Sequence, residues 1–242
     1  MQLKDLFSFD FRYTPDEYEI ELRRQADQYL AEEKIEILPV CKDAQFQNIL
    51  ETSIKKLPPF EGVKGKADKE FKDAVIWFSL IDYAKELGMR VALKPTVNCK
   101  NGTWRAHVNF FDEDVVCEPK WCNWFESYTE FQLHYARLAK EMGVEMHIAG
   151  CEMVMAERRE AEWRKLIADI RSEFDGLVSY NTDKYQEHNV KWWDAVDVIS
   201  SSGYYPLEDW ENQLDRIEAV VKRFQKPFFF AEAGCMSVLD SN

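Results

Sequence analysis

Short apolar runs alternate along the chain with longer stretches in which apolar residues recur at helical spacing. Apolar runs of this length are typical of buried strands, and the helical spacing is typical of amphipathic helices. We predict seven strands, at residues 6–11, 35–40, 89–97, 144–152, 176–181, 197–205 and 226–234. The helices predicted between them lie at residues 69–87, 128–142, 156–174, 190–196 and 207–224.

Start and stop signals mark several of these helices. A further helix is predicted to begin at Thr14, which is a good N-cap residue followed by Pro15 at the first helical position. Gly88 and Gly143 each follow a predicted helix and are suited to its C-terminal cap. Residues 41–66 contain two adjacent prolines and two glycines, so we expect an irregular loop there.

Strands that alternate with helices predict an α/β fold with a parallel sheet and right-handed crossovers. No linker, charge block or low-complexity tract interrupts the series, so residues 1–242 are predicted to form one domain. Because no Gly-rich phosphate loop is present, a (β/α)8 TIM barrel is favoured over a Rossmann fold.

The predicted barrel is short at its C-terminal end, since about seven βα units are found. Either the barrel is open at this edge, or another segment fills the gap, or the chain is a piece of a longer protein. We expect the last of these. An open edge would favour self-association, because its backbone groups lack partners.

Composition narrows the classes of function. The chain has 242 residues, of which 46% are hydrophobic and 31% charged, as in an ordinary soluble enzyme. A net charge of −13 argues against nucleic acid and anionic membrane as partners. No signal peptide or membrane-spanning run is visible, so a cytoplasmic location is expected, and secretion stays open if the N-terminus is processed. The 14% aromatic content, with eight Trp, suggests sugar stacking.

Two carboxylates fall at strand ends in apolar surroundings. Glu152 ends the strand at 144–152, and Glu232 lies near the end of the strand at 226–234. A buried unpaired carboxylate is costly, so each residue must be ion-paired or functional. Reactive groups of βα barrels lie at the carboxyl ends of strands, and a pair of carboxylates suits glycoside hydrolysis. We therefore favour the catalytic interpretation of this pair.

Other polar and aromatic residues are predicted at the same barrel face, although each also has a structural explanation. They are Lys94, Trp104, Arg105, Asn181, Tyr204 and Tyr205. The four His show no spacing typical of a metal site, and no His pairs convincingly with a Ser or Cys. No metal or organic cofactor is expected, because two carboxylates suffice for proton transfer and covalent catalysis. The remaining tryptophans on or beside helices are interpreted as packing residues: Trp121, Trp124, Trp163, Trp192 and Trp193.

Several motifs together resemble glycoside hydrolase family 113, a family of clan A retaining (β/α)8-barrel hydrolases that act mainly on β-1,4-mannan and mannooligosaccharides. The resemblance runs from about Leu6 to Ser237. It is carried by LKPTVNCKNGTWRAHVNF, WFESYTEFQLHYARLAKEMGVEMHIAGCEM, AEWRKLIADIR, SSGYYPL and KPFFFAEAG.

The resemblance implies a catalytic acid/base at Glu152 and a nucleophile at Glu232. It also implies substrate-binding roles for Lys94, Trp104, Arg105 and Asn181, and a hydrogen bond from Tyr204 or Tyr205 to the nucleophile. Thr96 stands where the family usually has His, Cys151 stands where many relatives have Thr, and no eighth strand is found.

The resulting hypothesis is a retaining glycoside hydrolase that cleaves β-1,4-mannosidic bonds in mannan or mannooligosaccharides by double displacement. The expected partner is a β-linked oligosaccharide or polysaccharide. Two alternatives stay open: a non-catalytic or truncated carbohydrate-binding barrel, and the same chemistry on another β-linked sugar. Fold and catalytic pair are shared across many specificities, so they do not choose among sugars.

Overall fold

The chain divides into two units, residues 1–83 and 84–242. The computed structural model describes residues 14–32, 43–54, 67–110 and 117–234. Helix α1 (Pro15–Glu32) begins at the predicted position. The Thr14 side chain accepts a hydrogen bond from the Glu17 N–H, and Glu17 accepts one from the Thr14 N–H, which is a capping box.

The prediction of an irregular segment at residues 41–66 is wrong for its first half, where α2 (Asp43–Ile54) forms. Phe46, Ile49 and Leu50 have helical spacing, and Ile49 is buried. The prolines and glycines that suggested a loop all follow the helix in sequence and lie outside the described residues. The two predicted strands at residues 6–11 and 35–40 lie outside the described residues.

Helix α3 (Ala67–Glu86) agrees with the prediction for residues 69–87. Helix α4 (Glu118–Glu141) begins ten residues before the predicted start at 128. The missed signal is Pro119 in the first turn after an acidic residue, a favourable pair at a helix N-terminus. Gly88 and Gly143 adopt positive φ angles of 72° and 60°, as expected for C-terminal caps.

The last two long helices are each preceded by a short 3-10 turn. Helix α5 (Glu160–Glu173) follows a turn at Val154–Ala156, and α6 (Trp210–Phe224) follows a turn at Leu207–Asp209. The short helix predicted at residues 190–196 is reduced to a 3-10 turn at Trp193–Ala195. None of the described helices is long and apolar enough to cross a bilayer.

Five parallel strands form the sheet of the second unit, in the order β1-β2-β3-β4-β5. They are β1 (Ala92–Leu93), β2 (Met146–Cys151), β3 (Leu177–Thr182), β4 (Val198–Gly203) and β5 (Phe228–Ala233). Each strand pairs with the next along the chain, which is the topology of part of a (β/α) barrel and confirms the predicted fold class. All five carboxyl ends therefore lie at one edge of the sheet.

An aromatic cluster fills the layer between this sheet and its helices. Trp163 of α5 is fully buried and stacks on Trp192 with ring centroids 5.0 Å apart, while Tyr180 of β3 packs edge-on against both. Gly150 permits this packing, because a Cβ there would lie 2.9 Å from the Tyr180 ring. Trp121 and Trp193 are also buried and Trp124 is half-buried, so the prediction that these tryptophans are packing residues is confirmed.

Replacing Trp163 with Ala is expected to lower the free energy of unfolding by about 3–5 kcal/mol, since it removes a large buried side chain and leaves a cavity. Trp104→Ala is the matched control, because Trp104 is 43% exposed. It is expected to cost less than about 1 kcal/mol. Urea denaturation measures both, and equal losses would contradict this account of the core.

Candidate active site

Glu152 follows directly after β2, where the strand pairing becomes irregular between Ile148 and Cys151. Its φ angle is 52°, in the left-handed region, which costs a non-glycine residue about 1–3 kcal/mol. The Glu152 N–H donates to the Asn181 carbonyl at 2.7 Å, which anchors this conformation to β3. Such strain persists only when the surroundings hold it, and it is concentrated at functional sites.

Glu152 is buried, with 7% of its surface exposed, and each oxygen of its carboxyl group accepts a hydrogen bond. Arg105 Nη2 donates to Oε2 at 2.8 Å, and the Ser202 hydroxyl donates to Oε1 at 2.8 Å. Arg105 is itself fixed by Nε, which donates to the Cys151 carbonyl at 2.9 Å. Charge-assisted bonds of this kind define the position of a carboxylate.

Glu232 lies in β5 and is bonded by three residues from other segments. Lys94 forms an ion pair with Oε1, and the Cys151 thiol donates to the same oxygen at 3.4 Å. The Tyr204 hydroxyl donates to Oε2 at 3.1 Å. Burial raises the pKa of Glu232, but the hydrogen bond and charge of Lys94, with the bonds from Cys151 and Tyr204, lower it by more, so the net pKa is below its usual value. The carboxyl is therefore held ionised.

The two carboxyl groups lie close together. An oxygen of Glu152, an oxygen of Glu232 and the Cys151 sulfur are all within 4.8 Å of one another. Glu152 and Glu232 come from the ends of β2 and β5, which are separated by two strands in the sheet. The arrangement places an ionised carboxylate beside a second carboxyl group, which suits acid–base or nucleophilic chemistry on one bound molecule.

Comparison with known proteins gives a family match over almost the whole chain. The model of glycoside hydrolase family 113 matches residues 7–242. The chain belongs to glycoside hydrolase family 113. No curated protein matches the chain.

Solved structures of this family match the fold. One described as a complex of a family 113 β-1,4-mannanase is 65% identical with a TM-score of 0.64, and the match covers 70% of this chain and 54% of that chain. A second family 113 β-1,4-mannanase is 67% identical with a TM-score of 0.62, with coverage of 67% and 52%. A family 113 β-mannanase from Alicyclobacillus acidocaldarius, in complex with ManMIm, is 46% identical with a TM-score of 0.62 and the same coverage. The matched region spans about half the length of these structures.

Most of the predicted site residues converge on the carboxylate pair. Lys94, Arg105 and Tyr204 bond a carboxylate directly. Asn181 acts at one remove, because its Nδ2 donates to the Ser202 hydroxyl at 3.0 Å. These contacts fix the positions of the Glu152 and Glu232 carboxyl groups. The roles of the residues in catalysis and substrate binding are predictions.

Two predicted residues lie elsewhere. The Tyr205 hydroxyl donates to Glu187, a buried carboxylate that also pairs with Arg216 at 2.6 Å, so of the two adjacent tyrosines it is Tyr204 that bonds Glu232. Trp104 precedes a 3-10 turn (Arg105–His107), and its ring packs edge-on against His107 at 5.5 Å. Being 43% exposed, the Trp104 ring is open to a ligand.

Sequence reasoning missed Ser202 and the contact made by Cys151. Ser202 is fully buried, and the only sequence signal was a run of three serines in a predicted strand, where apolar residues would be usual. Cys151 is 2% exposed, and its thiol bonds Glu232. Cysteine next to a candidate carboxylate at a strand end was the available signal.

The two carboxyl groups and the Cys151 thiol are also possible metal ligands. Among the described residues, one group brings ligand atoms together, namely Cys151, Glu152 and Glu232. Lys94 and Arg105 already bond the two carboxylates, which opposes a cation there. Burial raises the pKa of the Cys151 thiol to about 11, so it is protonated at neutral pH and a poor metal ligand.

Replacing Lys94 with Met is expected to raise the pKa of Glu232, because the lowering influence of the ion pair is lost while burial remains. The pKa is measured from the side-chain carboxyl carbon by NMR on protein labelled with ¹³C-Glu, and Glu232→Gln assigns the signal. Lys184→Met is the control, since the Lys184 ammonium bonds the Tyr204 carbonyl and not Glu232. An unchanged or lower Glu232 pKa in Lys94→Met would contradict the prediction.

Proposed function

We propose that this chain carries the catalytic centre of a retaining glycoside hydrolase that cleaves β-1,4-mannosidic bonds in mannan or mannooligosaccharides. The carrying observation is the close approach of the two carboxyl groups, since one oxygen of Glu152 lies within 4.8 Å of one oxygen of Glu232. Retaining enzymes have carboxyl groups roughly 5–5.5 Å apart, whereas inverting enzymes need about 6.5–9.5 Å to admit a water molecule.

The assignment of roles starts from the contacts of Glu232, and the second carboxyl group, Glu152, is then the acid/base. Lys94 and Tyr204 stabilise the ionised form of Glu232, which is the form required of a nucleophile. Glu232 Oε attacks the anomeric carbon, the glycosidic bond breaks, and Glu152 gives its proton to the departing oxygen. A glycosyl ester on Glu232 results. In the second step Glu152 takes a proton from water, which attacks the anomeric carbon and releases Glu232 as a carboxylate.

The sugar is proposed from the relatives. The family 113 structures that are 65% and 67% identical are described as β-1,4-mannanases. Identity at this level over two thirds of the chain makes β-1,4-mannan the substrate to test first. The exposed Trp104 ring beside Arg105 offers a flat apolar surface for a sugar face.

Product release from β-1,4-mannohexaose by the full chain is expected to fall at least about a thousandfold in Glu232→Gln, because the nucleophile is lost while the shape is kept. Glu211→Gln is the control, since Glu211 is an exposed residue of α6 and is expected to leave the rate unchanged. Faster cleavage of cellohexaose than of mannohexaose would contradict the sugar assignment. No cleavage of either would favour a non-catalytic carbohydrate-binding barrel.

The stereochemistry of the first product tests the mechanism separately. Proton NMR during early hydrolysis of mannohexaose is expected to show the β-anomer of the new reducing end before mutarotation produces the α-anomer. The α-anomer appearing first would overturn the retaining mechanism while leaving the hydrolase assignment intact.

A further inference from the structure

The backbone around Glu152 is tied to β3 on both sides. The Glu152 N–H donates to the Asn181 carbonyl at 2.7 Å, and the Met153 N–H donates to the Tyr180 hydroxyl at 3.1 Å. The second bond is unusual because it joins a backbone group to a side chain in the adjacent strand. It holds the peptide that immediately follows the left-handed residue.

The Tyr180 hydroxyl is itself held in place. Tyr180 is fully buried, and its ring packs against Trp163 at 4.9 Å and Trp192 at 4.8 Å. The hydroxyl donates to Glu157 Oε1 at 2.8 Å. Since its single proton is directed at Glu157, the lone pairs of the oxygen face the Met153 N–H, and the acceptor has a fixed orientation.

Glu157 is a buried acid that makes no contact with the catalytic pair among the described residues. It is 4% exposed, Oε1 also accepts a bond from Thr182 at 2.6 Å, and Oε2 has no partner. Burial raises its pKa to about 8, although the bonds from Thr182 and Tyr180 act in the opposite direction. A buried carboxyl with an unsatisfied oxygen costs stability, so a stabilising role alone explains it poorly.

We propose that Tyr180 and Glu157 are positioning residues for Glu152: Glu157 orients the Tyr180 hydroxyl, which fixes the Met153 N–H and so maintains the left-handed backbone that places the Glu152 carboxyl beside Glu232. Released from this bond, Glu152 would relax toward a conformation of lower energy. Its carboxyl would then move away from the reacting atoms. A displacement of about 1 Å at a catalytic group lowers a rate by about a hundredfold.

The inference rests on the proposed function. Two substrates distinguish a failure of the inference from a failure of the proposed function. Cleavage of mannohexaose needs a proton from Glu152, whereas 2,4-dinitrophenyl β-mannobioside has a leaving group that departs without one. Tyr180→Phe is therefore expected to lower kcat/KM on mannohexaose about 10- to 100-fold, and on the dinitrophenyl substrate by less than about threefold.

Tyr128→Phe is the matched control for loss of a buried tyrosine hydroxyl. Tyr128 is also buried, and its hydroxyl donates to the Ala149 carbonyl of β2 at 3.1 Å, three residues before Glu152. Each variant loses a buried hydroxyl that bonds the backbone near Glu152, and only Tyr180→Phe frees the Met153 N–H. Tyr128→Phe is expected to leave unchanged the ratio of kcat/KM on mannohexaose to kcat/KM on the dinitrophenyl substrate.

Two variants of Glu157 test the positioning role independently, including the case in which Tyr180→Phe fails to fold. Glu157→Gln keeps an oxygen that accepts from Tyr180 and is expected to preserve the ratio, whereas Glu157→Leu removes the acceptor and is expected to lower it as Tyr180→Phe does. Equal losses on both substrates, or no loss on mannohexaose, would overturn the inference and leave the hydrolase intact. Failure of the unmodified chain on both substrates would overturn the proposed function and this inference with it.

Discussion

The close approach of two carboxyl groups is the constraint on which the site depends. If both groups were ionised, two unit negative charges about 5 Å apart would repel by about 3 kcal/mol at the effective dielectric constant of a protein surface. Each carboxyl group has a cation beside it, Lys94 on Glu232 and Arg105 on Glu152. Both cations come from the segment that includes and follows β1, so this strand and its loop hold the two carboxyl groups close together.

Strand β3 supplies the reference against which Glu152 is placed. Three consecutive residues take part: Tyr180 bonds the Met153 N–H, the Asn181 carbonyl accepts from the Glu152 N–H, and Thr182 bonds Glu157. Asn181 also reaches Ser202 of β4, which bonds the Glu152 carboxyl. Residues 178–182 of this strand are buried and paired with both neighbouring strands, so β3 is a rigid support for the backbone at Glu152.

Three acidic residues of this region lie in different environments. Glu232 is partly exposed and paired with a lysine, so its net pKa is lowered, whereas Glu157 is buried without a cation, so burial raises its pKa. A third acid, Glu187, is fully buried and satisfied by Arg216, Ser201 and Tyr205. The type of residue is the same in each case, and its neighbours decide its contacts and the direction in which its pKa moves.

The sequence by itself determined the order of the five described strands, their parallel arrangement, and the location of Glu152 and Glu232 at strand ends. Hydrophobic periodicity is a local property of the sequence, so it predicts helices and strands before the fold is known. At residues 41–66 the prolines and glycines were misleading, because they outweighed the helical spacing of Phe46, Ile49 and Leu50, which was correct. Only the tertiary structure decided that Tyr204 and not Tyr205 bonds Glu232, that Ser202 and Cys151 touch the carboxylates, and that Glu152 is left-handed. These features depend on strand register, which shifts between Ile148 and Cys151 and again between Ser201 and Ser202, and a shift of one residue turns a side chain to the opposite face of the sheet.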